Sequence, residues 1–300
     1  MKLFRQGKVK DVYEVDNHYL EFVFTDKISV FDKIIPSVIP HKGETLCRSS
    51  AFWFQMLRNI GIKSHFTELI PPNRMRVKKV AIIPDYSKIT PKTTNYLIPL
   101  EIICRHYVAG SLYDRIKDGS VSAKDLGFTN GKKVNYGEEL PHAMIEMTTK
   151  LEKFDRPVTK EEAMKIAALS KQEYALILET VLKIDEQIAE EVDKRELIHV
   201  DGKKEFAFDE DRELMVVDTF GTADEDRWWD WDDVSKGNFT ELSKEFVRQH
   251  YRTTGYYDKL KKARAEGKPE PDIPALPPEK IKEISKLYRD MFERITGESY

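Results

Sequence analysis

The stretch DGKKEFAFDEDRELMVVD, residues 201–218, sets acids and lysines inside apolar tracts. Asp201, Lys203 and Glu205 recur at every second position, so on a β-strand they share one face. Lys204, Phe206 and Phe208 take the other face, where the two rings can enter a core. If the tip is the four residues 209–212, Phe208 pairs with Glu213, Glu205 with Val216 and Lys203 with Asp218. Glu205 and Asp218 are then diagonal neighbours roughly 5–8 Å apart. Two carboxylates at that separation can share a magnesium ion, which takes oxygen ligands and keeps positions for water and phosphates. Lys203 between them can hold a phosphate or keep the acids ionised. The same pattern also describes the solvated face of an edge hairpin, whose exposed ion pairs contribute little. A one-residue slip in register would move the set to the opposite face.

Other clusters carry weaker signals. RQGKVKDVYEV places Gly7 before Lys8 and Lys10, which alternate on a strand face; a glycine hairpin of this kind lets backbone and lysines approach phosphates. It lacks the spacing of a P-loop or a dinucleotide fingerprint, and an ordinary lysine-decorated hairpin reads the same way. RHYVAGSLYDR carries Arg105, Gly110 and Ser111 where a strand runs into a helix, so free N–H groups, a hydroxyl and an arginine form an anion pocket. Plain N-capping by Ser111 is the alternative. In VVDTFGTADEDRWWDWDD, Asp224 and Arg227 lie in a loop that can fold over a ligand, with Trp228, Trp229 and Trp231 as a wall or as anchors to the core. Lys244 and Arg248 share a helical face. Asp26, Ser29 and Asp32, and the group His41, Lys42 and Gly43, read most simply as turn residues.

These residues need a scaffold. The chain has 300 residues, 40% hydrophobic and 34% charged, a composition suited to a large globular core. Its 49 basic and 52 acidic residues nearly cancel, so net charge offers no argument for nucleic acid, and an anionic partner must be held locally. Cys47 and Cys104 form no CxxC or disulfide framework, the start has no signal core, and no apolar run approaches the roughly 20 residues of a membrane span. A cytoplasmic enzyme with no membrane partner is the expectation; whether it forms a homo-oligomer is left open. The first hundred residues read as strands around one helix, SSAFWFQMLRNIG, with a serine start and a stop at Gly61. Residues 159–195 read as helical from a Thr159/Glu162 capping box. ELSKEFVRQHYR is a further helix, KPEPDIPALPPE an extended surface connector, and a last helix starts near Pro278 and ends at Gly297. The order of elements is α+β.

Taken together, GKVKDVYEV, TDKISVFD, IPHKGE, LEIICRHYVAGSLY, TTKLEKFDRPVT, DGKKEFAF, VVDTFGTADEDRWW and LSKEFVRQHY resemble, in order and spacing, the phosphoribosylaminoimidazole-succinocarboxamide synthase (SAICAR synthetase) family. The resemblance implies a two-lobed fold, related to kinases and ATP-grasp enzymes. A small antiparallel β lobe, residues 1–98, lies over a larger α+β lobe, residues 99–300, with ATP between them. It implies an ATP- and Mg2+-dependent ligase of purine biosynthesis that joins a carboxyaminoimidazole ribotide to L-aspartate. Lys8 and Lys10 match the phosphate hairpin; Asp201, Lys203 and Glu205 match a D-x-K-x-E-F-G strand; Asp218 opens a D-E-x-x-x-P-D-x-S-R segment. Lys203, Glu205 and Asp218 are then the catalytic group, with Glu205 and Asp218 as magnesium ligands. Lys8, Lys10, Asp155 and Lys203 bind the nucleotide, and Arg105, Ser111, Asp224 and Arg227 bind the ribotide. The backbone near Tyr96 and Pro99 is a candidate for holding adenine. Thr219, Ala223, Asp226 and Ala207 depart from the family's Glu, Pro, Ser and Gly, which puts the shape of the Asp224 loop in question. The rival readings are a two-lobed small-molecule kinase and a non-catalytic nucleotide-binding scaffold.

Overall fold

The structure, a computed structural model, describes residues 1–300. It opens with the glycine hairpin that RQGKVKDVYEV suggests. β1 (Lys2–Gln6) and β2 (Lys10–Glu14) turn at Gly7, where a Cβ would lie 2.3 Å from the Lys10 carbonyl oxygen. Lys8 therefore sits in the turn, and only Lys10 lies on a strand. β3 (Tyr19–Phe24) returns after Asp16, whose carboxylate accepts the His18 and Tyr19 N–H groups at 2.7 and 2.9 Å. β4 (Lys27–Val30) and β5 (Lys33–Val38) form a separate ribbon. α1 (Lys42–Asn59) starts earlier than its serine signal predicts. Ser50 lies within the helix, its hydroxyl donating back to the Leu46 carbonyl at 2.8 Å instead of capping a terminus. β6 (Phe66–Ile70) and β7 (Arg74–Lys78) complete an antiparallel sheet of order β1-β2-β3-β7-β6.

The second sheet is built around one long strand. β8 (Tyr96–Leu97) and β9 (Leu100–Tyr107) lead through α2 (Gly110–Lys117) to β10 (Glu139–Thr149). The expected 159–195 helix is two helices, α3 (Lys160–Ile166) and α4 (Lys171–Asp193). Thr159 does accept the Glu162 N–H, but the Glu162 carboxylate turns to Arg156 at 2.7 Å, and the reciprocal capping box forms at Ser170 and Glu173. β11 (Leu197–Phe208), β12 (Leu214–Val217) and β13 (Asp226–Asp230) follow. The strand order is β10-β9-β11-β12, with β8 and β13 also paired to β11. α5 (Trp231–Ser235), α6 (Lys244–Thr253), α7 (Tyr256–Ala265) and α8 (Pro278–Thr296) finish the chain. The proline-rich connector before α8 does more than run over the surface: Ile273 and Leu276 are buried, and the Tyr251 and Tyr256 hydroxyls donate to the Pro274 and Pro271 carbonyls. One continuous apolar core joins Phe22 and Met75 of the first sheet, Trp53 of α1, Phe206 of the second sheet, Val181 of α4 and Met291 of α8. The α+β class is as expected.

The β11–β12 register differs by one residue from the expected one. The connection has five residues, 209–213, and Arg212 adopts a left-handed φ of 59°, as in bulged hairpin turns. Its guanidinium is held by Glu173 at 2.7 Å and by the Thr93 and Ala168 carbonyls at 2.6 and 3.0 Å. Glu205 therefore pairs with Val217 and Phe208 with Leu214. Leu214 and Val216 join Phe206 and Phe208 on the core face.

Candidate active site

A cleft of about 300 Å³ lies between the β1–β2 hairpin and the second sheet. Gly7, Lys8 and Lys10 line it from the hairpin, Lys150 from the end of β10, Glu205 from β11, and Asp218, Thr219, Asp224 and Glu225 from the segment after β12. The expected Lys203–Asp218 strand pair does not form. In the observed register a continued β12 would set Asp218 opposite Lys204, on the face away from Glu205. Instead β12 ends at Val217 and Asp218 takes φ 61°, a left-handed conformation that aspartate tolerates at a cost of about 1 kcal/mol or more. That turn brings the carboxylate back to the cleft, where the Lys10 ammonium donates to it. Burial alone would raise the Asp218 pKa; Lys10, Lys150 and Lys203 outweigh burial and hold it far below the usual carboxylate range.

Glu205 is 1% exposed and accepts from Lys150 and Lys203, each at 2.6 Å. Lys203 also reaches Glu101 at 3.1 Å and Glu225 at 3.5 Å. Burial would lower both lysines, but the surrounding acids, Glu205 foremost, raise them, so both ammonium groups stay charged. The two expected acids thus line one cleft, Glu205 against Lys150 and Lys203 and Asp218 against Lys10. Oxygen donors of this kind suit a hard divalent cation.

The cluster expected to form an anion pocket has a plain geometric origin. Asp201 of β11 pairs with Arg105 of β9 on one side and with Arg227 of β13 on the other, so three neighbouring strands put an acid between two arginines. Arg105 donates to Asp201 at 3.1 Å, to Glu146 at 2.8 Å and to the Ser111 hydroxyl at 3.2 Å, and Arg227 donates to the same Asp201 oxygen. Ser111 is not the N-cap of α2. Ala109 is, and no side chain caps the helix, which leaves its first N–H groups free beside the arginines. Gly110 is required twice: its φ is 52°, and a Cβ would lie 2.7 Å from an Arg227 nitrogen. Asp201 and Glu205 share a face four residues apart, so this pocket lies about 13 Å along the strand from the acid pair.

Asp224 lines the cleft with its carboxylate already engaged. Lys42 donates to it at 2.9 Å, Lys244 lies at 3.5 Å, and the Tyr288 hydroxyl also donates. Burial would raise it, but Lys244 and Lys42 hold it well below its ordinary value. The loop that carries it is closed by Asp226, which accepts from the Gly221 N–H at 2.7 Å and contacts His199 Nε2 at 2.7 Å. Gly202 makes room, since a Cβ there would lie 1.9 Å from Asp226 Oδ2. Asp155 is exposed on the loop after β10, close enough to feel Lys150 and Lys203, and burial shifts its carboxyl upward. Lys8 is half-exposed and paired with Asp32 at 2.7 Å. Between Tyr96 and Pro99 the Leu97 and Ile98 N–H groups are paired with the Ala81 and Phe206 carbonyls, so this stretch gives the cleft its Leu97 side chain. Trp228 and Trp229 are fully buried anchors and Trp231 is exposed; none lines the cleft.

Sequence reasoning missed Lys150, Glu101, Glu225, Tyr288 and His65. Lys150 opens the TTKLEKFD segment and was available as a signal; Lys42 and Lys244 had registered only as weak clusters. Glu101 and His65 stand in ordinary-looking strand sequence.

A cleft lined by lysines and acids, joined along one strand to a pair of arginines around one aspartate, has the form of a small-molecule binding site. Residues 3–263 match the SAICAR synthetase family, and the chain belongs to that family. It is 55% identical over 300 residues to a phosphoribosylaminoimidazole-succinocarboxamide synthase of Thermoplasma volcanium, with all of both chains covered. It is 53% identical, with the same coverage, to the synthase of that name from Thermoplasma acidophilum. Among solved structures it superposes on a SAICAR synthetase in complex with ADP with a TM-score of 0.70 and 26% identity, covering 99% of this chain and 98% of that one.

Proposed function

We propose that the cleft binds ATP with Mg2+ and that the arginine pocket binds the phosphate of a carboxyaminoimidazole ribotide, whose carboxylate is then joined to the amine of L-aspartate. Membership of the family makes ATP-dependent ligation in purine biosynthesis the activity of this chain. The observation that best supports the division of labour is the single face of β11, which carries Asp201 between the two arginines, Glu205 in the cleft lining, and Lys203 between them, paired to Glu205. Residues 1–98 supply the phosphate hairpin and residues 99–300 the acids and the ribotide pocket.

In this reading Val12, Val80, Ile82, Leu97 and Val217 form the apolar slot for adenine. Lys8, Lys10 and Lys203 face the phosphates, and Asp155 sits at the rim. Glu205 and Asp218 hold the cation, which when bound neutralises charge on the transferring phosphoryl group. Arg105, Ser111 and Arg227 bind the ribotide phosphate at the uncapped start of α2. Asp224, held by Lys42, Lys244 and Tyr288 in the cleft lining, faces the polar groups of the imidazole. A ribotide carboxylate oxygen attacks the γ-phosphorus and ADP leaves; the amine of aspartate then attacks the acyl carbon and phosphate leaves. The lysines stabilise charge during transfer, and the two pockets align the reactants.

A coupled assay tests the reading. ADP release should require both ribotide and aspartate. Aspartate-independent phosphorylation of the ribotide as a stable product would indicate a kinase, and ATP binding without turnover would indicate a scaffold.

A further inference from the structure

His65 is nearly fully buried in the short segment between α1 and β6. That segment joins the two sheets. The Val216 N–H donates to the Lys63 carbonyl and the His65 N–H to the Val216 carbonyl, both at 2.9 Å, so residues 63–65 cover the outer edge of β12. The His65 carbonyl accepts from the Lys78 N–H at 2.7 Å, tying the same residue to β7 of the first sheet. The side chain continues past the end of β12. Its Nε2 lies 3.3 Å from the Asp218 carbonyl oxygen.

The ring is held as firmly as its backbone. It packs edge-on against Phe22, with centroids 5.6 Å apart, and at a tilt against Phe54, with centroids 5.5 Å apart. Phe22 also lies under the Lys10 ammonium, 4.3 Å from its centroid. Asp218 is thus gripped at both ends by groups resting on one phenyl ring: Lys10 at the carboxylate and His65 at the carbonyl. Asp218 needs such a grip because its left-handed φ of 61° reverses the direction that β12 would otherwise give its side chain.

We infer that His65 is a positioning residue for Asp218: its Nε2–H holds the Asp218 carbonyl and so fixes the turn that aims the carboxylate into the cleft. The inference rests on the reading of Asp218 as a cation ligand. Only a ring protonated on Nε2 can donate to a carbonyl, so the structure commits His65 to that tautomer.

Three measurements test it. Heteronuclear NMR of the imidazole nitrogens in the native enzyme at neutral pH should show His65 as the Nε2–H tautomer; the Nδ1–H tautomer overturns the inference. Mn2+ binding in the presence of ADP, followed by electron paramagnetic resonance, should weaken about tenfold in His65→Leu and recover to within about threefold in His65→Gln, whose amide can replace the donor. The KM for ribotide should stay within about twofold in both, because the arginine pocket is untouched. Equal weakening in both variants, or a ribotide KM rising in step with the Mn2+ constant, reduces His65 to ordinary packing and overturns the inference. If His65→Leu does not fold, the tautomer and His65→Gln decide. Unchanged Mn2+ binding in Asp218→Asn would refute the ligand reading itself, whatever tautomer His65 adopts.

Discussion

The two faces of β11 carry similar residues and behave differently. On the cleft face Lys203 and Glu205 meet Lys150, Glu101 and Glu225, and Lys203 contacts three acids at once. On the opposite face Lys204 is fully buried, ion-paired with a fully buried Asp185 and 3.6 Å from Asp226. His106 contacts Asp185 at 3.1 Å and His199 contacts Asp226 at 2.7 Å. Cys104 lies beside them, and burial pushes its thiol far up, so it stays protonated. The Lys204 ammonium occupies the centre of this cluster, where it serves as the cation for both aspartates. Burial would lower it, but Asp185 and Asp226 raise it above its ordinary value.

The contrast separates two uses of charge. Lys203 and Glu205 each have more than one partner, so the loss of one contact strands neither. The rear charges have no such freedom. They hold β11 against α4 and close the Asp224 loop, and loss of Lys204 would leave Asp185 and Asp226 with histidine contacts but no ammonium between them in a medium of low dielectric.

Breaking either face should therefore give a different failure. The largest expected effect is on the cleft side: Asp218→Asn should lower turnover by about a thousandfold or more while thermal unfolding and circular dichroism stay native-like. Near-normal turnover would remove the acid pair from the site. On the rear side Lys204→Met should cost about 3–5 kcal/mol of stability in chemical denaturation, because two aspartates lose their counter-charge. Lys204→Met combined with Asp185→Leu should recover part of that loss; a double variant as unstable as the sum of the singles would sink the comparison.

Acid sharpens the same distinction. Burial alone would raise Asp185, but Lys204, His199 and His106 outweigh it and depress its folded pKa. A depressed carboxylate contributes stability that is complete above its unfolded value of about 3.9 and is lost as pH falls through the lower folded value. Asp185→Asn should thus be less stable than the native chain at neutral pH and should lose less on acidification from about pH 5 to pH 2, as read from denaturation midpoints. Parallel acid limbs for the two proteins would contradict this.

Two smaller effects complete the series. Arg105→Ala should raise the ribotide KM about tenfold or more and the ATP KM far less, since Arg105 lies in the anion pocket and does not line the cleft. The opposite ranking would reassign that pocket. Lys8→Ala should change stability by less than about 0.5 kcal/mol, because its pair with Asp32 is exposed.

Much of the site was legible as alternation. Asp201, Lys203 and Glu205 at every second position announced one strand face, and the apolar partners Phe206 and Phe208 announced the other. Lys204 broke that reading: a lysine among core-facing rings has no meaning in sequence until Asp185, on a helix before the strand, is known to lie against it. The hairpin tip misled for a local reason. Residues 209–212 fit a four-residue turn, and only the contacts of Arg212 with Glu173, Thr93 and Ala168 show why the connection takes one residue more. The register then moved by one, yet Asp218 still reached the cleft, because its left-handed φ compensates for the slip.

The sequence alone determined which residue types sit at which strand parity, where the helices carry their apolar stripes, and the family to which their order belongs, because these follow from local period and from a long ordered match. The tertiary structure decided which acid meets which lysine. Arg105, Asp201 and Arg227 come together only through three strands pairing in one order, and Asp218 enters the cleft only because segments distant in the chain, at Lys10 and His65, hold its two ends. Charge pairing depends on distance in space, and a linear pattern carries no such distance beyond its own strand or helix.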